Sequence, residues 1–348
     1  MPGALRVVLA GCGRISQTWL RTVETLPDLE IVGLLDVLEA NAQHRAAQFG
    51  LSDVLVGTDL DAVLDATEPD ILFNCTSPEA HVDVSLTALR HGCHILSEKP
   101  LAVSLEGARR LTDEAVHSGK ILAVTQNRRY HPMVRRLRAL LQSGVLGPLT
   151  TVESGHYMGN HFGGFRESMR HPLLLDMAIH TFDAARCITM AEPVSVYCRE
   201  WNPRGSWYAH GASAVAIFEM SDGVVYTYRG SWCSEGMNTS PDSTWRLIGE
   251  EGSATWDSFD SVAAEKRIEV GGLERTGSLQ SSVETVEVPP FRTEDKIEGH
   301  ASLIREFVHC VQTGALPETV CTDNIKSLAM VLAAVESAET GRTVEVRW

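Results

Sequence analysis

At 348 residues, 44% of them apolar and 22% charged, the chain is long enough for two domains that each bury a core, which excludes a disordered polymer. Asp and Glu number 45 against 30 Lys and Arg, a net charge of −15, so nucleic acid and anionic membranes are disfavoured and a small-molecule ligand is expected. Eight scattered cysteines with no C-x-x-C pair, no secretory leader and no apolar run near the ~18 residues of a membrane span point to a reducing, cytoplasmic setting.

Up to residue 126, short apolar runs alternate with amphipathic stretches. Strands are predicted at "LRVVLAG" (5–11), "EIVGLLD" (30–36), "DVLVG" (53–57), "DILFNCT" (70–76), "HILSEK" (94–99) and "KILAVTQ" (120–126), with helices near 14–26, 38–49, 59–67, 79–91 and 104–118. Continuous apolar strands separated by helices are what a parallel sheet covered on both faces requires, so residues 1–126 read as a doubly wound α/β domain. After "RRYHP" (128–132) a helix runs to about Leu141 and stops at Gly144. From Leu149 to Val288 alternating segments dominate, with "SDG" (221–223) as a hairpin signal. A helix over roughly 173–189 interrupts them, and two more are predicted near 296–313 and 322–340. Residues 127–348 therefore read as an α+β domain around a large, mostly antiparallel open sheet, fused tightly to the first domain with a cleft between them.

Gly11 and Gly13 stand between the first strand and the first helix, the setting in which such glycines bind a dinucleotide. The first permits a tight turn, and the second lets the backbone approach a pyrophosphate at the helix N-terminus. Ser16 replaces the third glycine of G-x-G-x-x-G. It is a tolerable substitute, small enough for helix-to-strand packing and able to bond back to a carbonyl one turn earlier. Asp36 closes the second strand, where a carboxylate would accept from the ribose hydroxyls and repel a 2′-phosphate. Val37, Leu38 and Glu39 offer no arginine to pair with one, which favours NAD over NADP. The competing reading is that Asp36 caps the helix starting near Leu38.

Lys99 and Pro100 of "SEKPLAVS" end the fifth strand at the carboxyl edge of the sheet, where open α/β sheets take their ligands, and their peptide bond is a candidate for cis. A surface lysine before a turn is the plain alternative. In "RHPLLLDMAIHTFDAAR" (170–186), Asp176 and His180 share one helical face, with Asp183 a turn further on. A carboxylate there can orient an imidazole or raise its pKa toward that of a general base. On spacing alone an ordinary surface pair is the better reading.

The combination of glycine-rich turn, Asp36, "EKP" and D-x-x-x-H in a second domain resembles the glucose-fructose oxidoreductase, inositol dehydrogenase and MocA (Gfo/Idh/MocA) family. The likeness spans nearly the whole chain, including "TSPEAHVDVSLTALRHGCHILSEKPLA" (76–102), "NRRYHP" (127–132) and "DNIKSLAMVLAAVESAETGRTVEV" (323–346). It implies a Rossmann domain for a nicotinamide cofactor and a C-terminal substrate domain whose open sheet builds a homodimer or homotetramer. It further implies that Gly11, Cys12, Gly13, Arg14, Ile15, Asp36, Thr76, Ser77, His81, Glu98, Lys99 and Asn127 hold the cofactor, with Lys99, Asp176 and His180 as the catalytic set. His180 would exchange the hydroxyl proton as hydride leaves the same carbon, Lys99 would bond the reacting oxygen, and Asp176 would anchor substrate hydroxyls or tune the pair.

The activity so implied is NAD-dependent hydride transfer at a secondary hydroxyl or keto group of a sugar, cyclitol or sugar derivative. A redox-neutral hydrolysis or elimination on tightly bound NAD, and a non-catalytic NAD-responsive regulator, are the alternatives. One departure from the family pattern is local: glycines often precede the aspartate, whereas this chain has "MRHPLLLD" (169–176). Candidate substrate contacts are Arg128, Tyr130, His156, Asn160, Trp207 and Trp232, whose mix of aromatic and polar groups suits a sugar, although the tryptophans fit a core or subunit interface as well. His91, Cys93 and His94 of "HGCH" straddle a helix end and a strand start without a second ligand cluster, so no metal is expected.

Overall fold

The structure, a computed structural model, describes residues 3–268, 282–291 and 296–348. Its contacts divide the chain into two units, one of residues up to Tyr130 with Glu298–Leu328 and Trp348, the other of His131–Ile297 with Ala329–Arg347.

In the first unit, strands β1 (Leu5–Ala10), β2 (Leu29–Leu35), β3 (Leu55–Gly57), β4 (Ile71–Asn74), β5 (His94–Ser97) and β6 (Leu122–Val124) pair in parallel in the order β3-β2-β1-β4-β5-β6. Helices α1 (Ser16–Val23), α2 (Glu39–Gln48), α3 (Leu60–Thr67), α4 (His81–Arg90) and α5 (Leu105–Ser118) connect them. This is the doubly wound order of dinucleotide-binding folds, with the reversal between β1 and β4. Covering both faces with helices leaves Val7–Ala10 and Ile71–Asn74 without solvent contact, which is why these strands are apolar without alternation. Trp19 of α1 meets Phe73 of β4 edge-on at 5.0 Å. Asp59 and Ser104 accept from the backbone N–H of Ala62 and Gly107 and so start α3 and α5, and Gly119 at φ 66° ends α5.

In the second unit come α6 (Pro132–Gln142), β7 (Leu149–Tyr157), the short α7 (Phe165–Ser168), a π-helical segment (Leu173–Ala178) and α8 (Ile179–Thr189). Strands β8 (Pro193–Trp201), β9 (Ser213–Met220), β10 (Val225–Ser231), β11 (Thr244–Gly249), β12 (Gly252–Trp256), β13 (Val262–Arg267) and β14 (Val283–Val286) follow. The expected 173–189 helix is thus π-helical over its first turns. The chain then returns to the first unit as α9 (His300–Thr313), continues as α10 (Cys321–Thr340), which runs from the first unit into the second, and ends with β15 (Val344–Glu345). Among the described residues nine strands form one sheet, in the order β14-β13-β12-β11-β7-β10-β9-β8-β15, antiparallel except for the β7–β10 pair. Residues 269–281 of the expected alternating region lie outside the described residues.

The "SDG" turn joins β9 to β10 with Asp222 and Gly223 both at positive φ, 60° and 74°, the backbone that a tight hairpin demands. One sheet face packs on α8, where Phe182 meets Phe218 and Tyr228 edge-on at 4.9 and 5.2 Å. The other presents Tyr197, Trp201, Ile217 and Val225 outward. In the first unit, α9 adds Leu303, Ile304, Phe307, Val308 and Cys310 to the core that holds Trp19 and Phe73. Each large apolar side chain so buried contributes about 1.5–3 kcal/mol. All eight cysteines are free thiols, and no helix among the described residues is long and apolar enough to cross a membrane.

Candidate active site

The carboxyl ends of β1, β4, β5 and β6 gather most of the residues expected to hold a cofactor. Gly11 follows β1 at φ 90°, and a Cβ there would lie 2.4 Å from the carbonyl of Cys75, so only glycine fits. At Gly13 a Cβ would meet nothing within 4 Å, which leaves open space over the start of α1. Ser16 is fully buried and donates to the Gly13 carbonyl at 2.6 Å, the back-bond expected of it. The first turn of α1 carries no acidic side chain and no side-chain cap, and although Gln17 N and Thr18 N turn back to the carbonyls of Arg14 and Ile15 at 3.3 and 3.0 Å, the positive end of the helix is left uncompensated by any carboxylate.

Asp36 takes protein donors on both carboxylate oxygens. Its Oδ1 accepts from Leu38 N and Asn41 Nδ2 at 3.0 Å each, organising the start of α2, while Oδ2 accepts from Cys12 N at 2.8 Å. Sequence reasoning missed the counterpart on α2. Arg45, 4% exposed, donates from Nη2 to the carbonyls of Cys12 and Gly13 at 3.0 and 2.8 Å. The peptide of Cys12 is therefore gripped at both ends, and Cys12 serves the loop rather than a ligand. Burial and the Asp36 carboxylate push its thiol up to about 12, so it stays neutral.

Thr76 follows β4 and donates to Asn74 Oδ1 at 2.6 Å, with Ser77 exposed beside it. The Lys99–Pro100 bond is cis. Glu98 accepts from Trp19 Nε1 at 2.8 Å, and His300 stands 3.9 Å away with its other ring nitrogen 3.4 Å from Asn127 Nδ2. His300 was not foreseen, and burial lowers its pKa. His81, expected to touch the cofactor, has no solvent contact. Its Nδ1 and Nε2 face the carbonyls of Pro100 and Thr76 at 2.7 and 3.2 Å, so it ties the two loops together instead. Tyr130 is likewise a core residue bonded to Glu306, which corrects its reading as a substrate contact, and Arg128 is largely buried.

In the second unit, Leu173, Leu174, Met177 and Ala178 are buried while Asp176 and His180 remain half-buried on one face. Asp183 has no solvent contact. Arg166, also unforeseen, donates from Nε to Asp176 Oδ2 at 2.6 Å. Asn160 accepts at its carbonyl from Trp207 Nε1 and Tyr208 Oη at 2.8 and 2.7 Å, and Tyr208 stacks toward Trp232. Asn160, Trp207 and Trp232 therefore come together in one aromatic cluster, though Trp232 itself is buried. His156, a residue of β7, is fully buried with Nδ1 3.5 Å from Ser243 Oγ and is not placed to meet a substrate directly. His91, Cys93 and His94 take separate partners, Asp61, the Pro69 carbonyl and the Ile121 amide.

The departure in "MRHPLLLD" has a structural answer. His171 takes the left-handed conformation at φ 51° that a glycine would occupy, and its ring is held by Glu200 at 2.5 Å and Glu339 at 3.2 Å. The Glu200 bond raises the His171 pKa against the opposing effect of burial. A raised folded-state value means that stabilisation is complete below the unfolded pKa of about 6.5 and fades as pH rises through the folded one. The melting-temperature advantage of the wild type over His171→Gln is expected to be largest near pH 6 and to shrink toward pH 9, as read by thermal denaturation across that range.

Residues 5–126 match the family model described as oxidoreductase family, NAD-binding Rossmann fold, and residues 134–255 match the GFO/IDH/MocA C-terminal domain. The chain belongs to the Gfo/Idh/MocA family of NAD-binding oxidoreductases. Scyllo-inositol 2-dehydrogenase (NAD(+)) of Bacillus subtilis is 25% identical over 99% of this chain and 97% of its own. D-glucoside 3-dehydrogenase of Escherichia coli is 34% identical over 52% of this chain and 53% of its own. The crystal structure of an oxidoreductase from Agrobacterium radiobacter in complex with NAD+, L-tartaric acid and magnesium superposes with a TM-score of 0.84 at 19% identity, covering 98% of each chain. The open space at Gly13, the uncompensated positive end of α1 and the Asp36 carboxylate fit the cofactor of this family.

Proposed function

We propose that the chain moves a hydride between NAD and a secondary hydroxyl or keto carbon of a sugar, cyclitol or sugar derivative. The observation that carries this reading is the half-buried Asp176–His180 face, held in place by Arg166, in a chain whose first unit is an NAD-binding Rossmann domain. NAD, when bound, supplies the hydride acceptor or donor. Gly11 gives the tight turn that brings the loop under the pyrophosphate, Gly13 leaves it room, Asp36 takes a ribose hydroxyl, and Thr76, Ser77, Glu98 and Asn127 line the carboxyl edge. His180 removes the hydroxyl proton in the oxidative direction and returns it in the other. The Lys99 ammonium stabilises the charge that grows on the substrate oxygen. Asp176 holds the orientation of substrate and imidazole.

The named dehydrogenases among the relatives act on an inositol and a glucoside, which sets the substrate range to be screened. Purified protein with NAD and a panel of cyclitols, glycosides, hexoses and their acids is expected to give absorbance growth at 340 nm with at least one member. No growth at stoichiometric protein would remove the dehydrogenase reading. The outward Tyr197, Trp201, Ile217 and Val225 further support a homodimer or homotetramer through the large sheet, and sedimentation of the same preparation as a monomer would exclude it.

A further inference from the structure

Arg166 is immobilised on several sides. Its Nε donates to Asp176, and its guanidinium carbon stands 5.2 Å from the centre of the Phe162 ring and 4.7 Å from that of Phe165, within cation–π range. About a third of the side chain remains open to solvent, 35%, and Nη1 and Nη2 donate to no described residue. A guanidinium has five N–H donors and no acceptor, so one bond to Asp176 leaves most of them for another group. The adjacent carboxylate of Glu167 is engaged elsewhere, accepting from Gly163 N at 3.0 Å. Phe162 in turn meets Trp232 edge-on at 5.2 Å, and the buried indole N–H of Trp232 finds no acceptor among the described residues. The guanidinium edge of Arg166 and the indole N–H of Trp232 thus leave donors unmatched on this ring cluster.

A sugar hydroxyl both donates and accepts, so a surface of donors matches only half of its capacity. A carboxylate only accepts, and its two oxygens match the guanidinium fork in plane and spacing. Stacking on two phenyl rings fixes that plane before a ligand arrives, which reduces the ordering cost of binding. We propose that Arg166 binds the carboxylate of the substrate through Nη1 and Nη2, and that the substrate is a sugar acid of the aldonate or uronate class. The inference rests on the reading of the chain as a sugar or polyol dehydrogenase.

The test uses matched pairs with NAD: gluconate and glucitol, glucuronate and glucose, galacturonate and galactose, with glucose 6-phosphate as an anion of another kind. The acid of at least one pair is expected to show kcat/KM at least tenfold above its neutral partner. Arg166→Met should bring that ratio within threefold of unity, and Arg166→Lys, which keeps the charge but loses the fork, should reduce it severalfold. A neutral member preferred by the wild type, a preference for the phosphate, or a ratio unchanged in both variants would overturn the proposal and leave the dehydrogenase reading standing. Calorimetric titration of the acids into the protein with NADH reads the same site without turnover. Binding that Arg166→Met weakens at least tenfold supports the assignment even if no NAD is reduced, in which case the dehydrogenase reading is the one that fails. Absence of acid binding to the wild type overturns the assignment.

Discussion

Gly11→Ala is expected to lower the melting temperature by about 5–10 °C, whereas Gly13→Val, two residues on, should leave it nearly unchanged and abolish NAD binding. At Gly11 the new methyl would stand 2.4 Å from the Cys75 carbonyl, with Thr76 N at 2.6 Å, and the residue would have to hold φ 90°. The conformational cost of about 1–2 kcal/mol adds to overpacking strain of about 1–3 kcal/mol, and neither can relax without moving β4 away from β1. A chain longer than 250 residues loses about 2 °C per kcal/mol, the low end of the range for smaller domains. At Gly13 the Cβ meets no protein atom, so the valine is tolerated by the fold and occupies space proposed for the pyrophosphate. A Kd for NAD raised at least a hundredfold, about 2.7 kcal/mol, is the expected reading by fluorescence titration. Ser16→Gly serves as the control. It removes a bond to the Gly13 carbonyl from the far side of the loop and should keep the Kd within threefold. Tight NAD binding by Gly13→Val would mean that the nucleotide does not cross this turn.

His180→Ala is expected to lower kcat by 10²–10⁴-fold on whichever substrate the panel identifies, with the Kd for NAD within twofold of wild type. The imidazole belongs to the second unit and has no part in the Gly11–Asp36 loop, so cofactor affinity is the internal control for folding. Lys99→Ala should also lose turnover, because an ammonium aimed at a developing alkoxide contributes most in the transition state. Rapid-mixing measurement of the first turnover separates this loss from any change in product release. A kcat for His180→Ala within threefold of wild type would sink the proton-transfer role.

The Rossmann half was legible because its strands are buried on both faces and announce themselves as unbroken apolar runs, and because Gly11, Gly13 and Asp36 sit at fixed places in that alternation. The order of the large sheet was not legible. Alternation says which face of β7 or β10 is buried, but nothing in either strand says that they pair with each other and in parallel. The π-helical turn before α8 escaped notice because Asp176 and His180 share a face at either helical period. Arg45 and Arg166 were missed for a different reason. A lone arginine carries no spacing signal, and its work here is done on backbone carbonyls and on a carboxylate brought near only by the fold. The only hint of Arg45 was its place one turn from the buried Ala42 on a helix with little else apolar inside.

The return of α9 to the first unit bears on how the protein is made. Leu303, Ile304 and Phe307 complete a core whose other walls, Trp19, Phe73 and Tyr130, emerge from the ribosome far earlier. At ~5–20 residues per second, the nascent nucleotide-binding half must wait on the order of ten seconds or more with that side uncovered. Until then its open flank is a natural client surface for a chaperone, and the order of synthesis, rather than the order of the sheet, sets when the first unit can close.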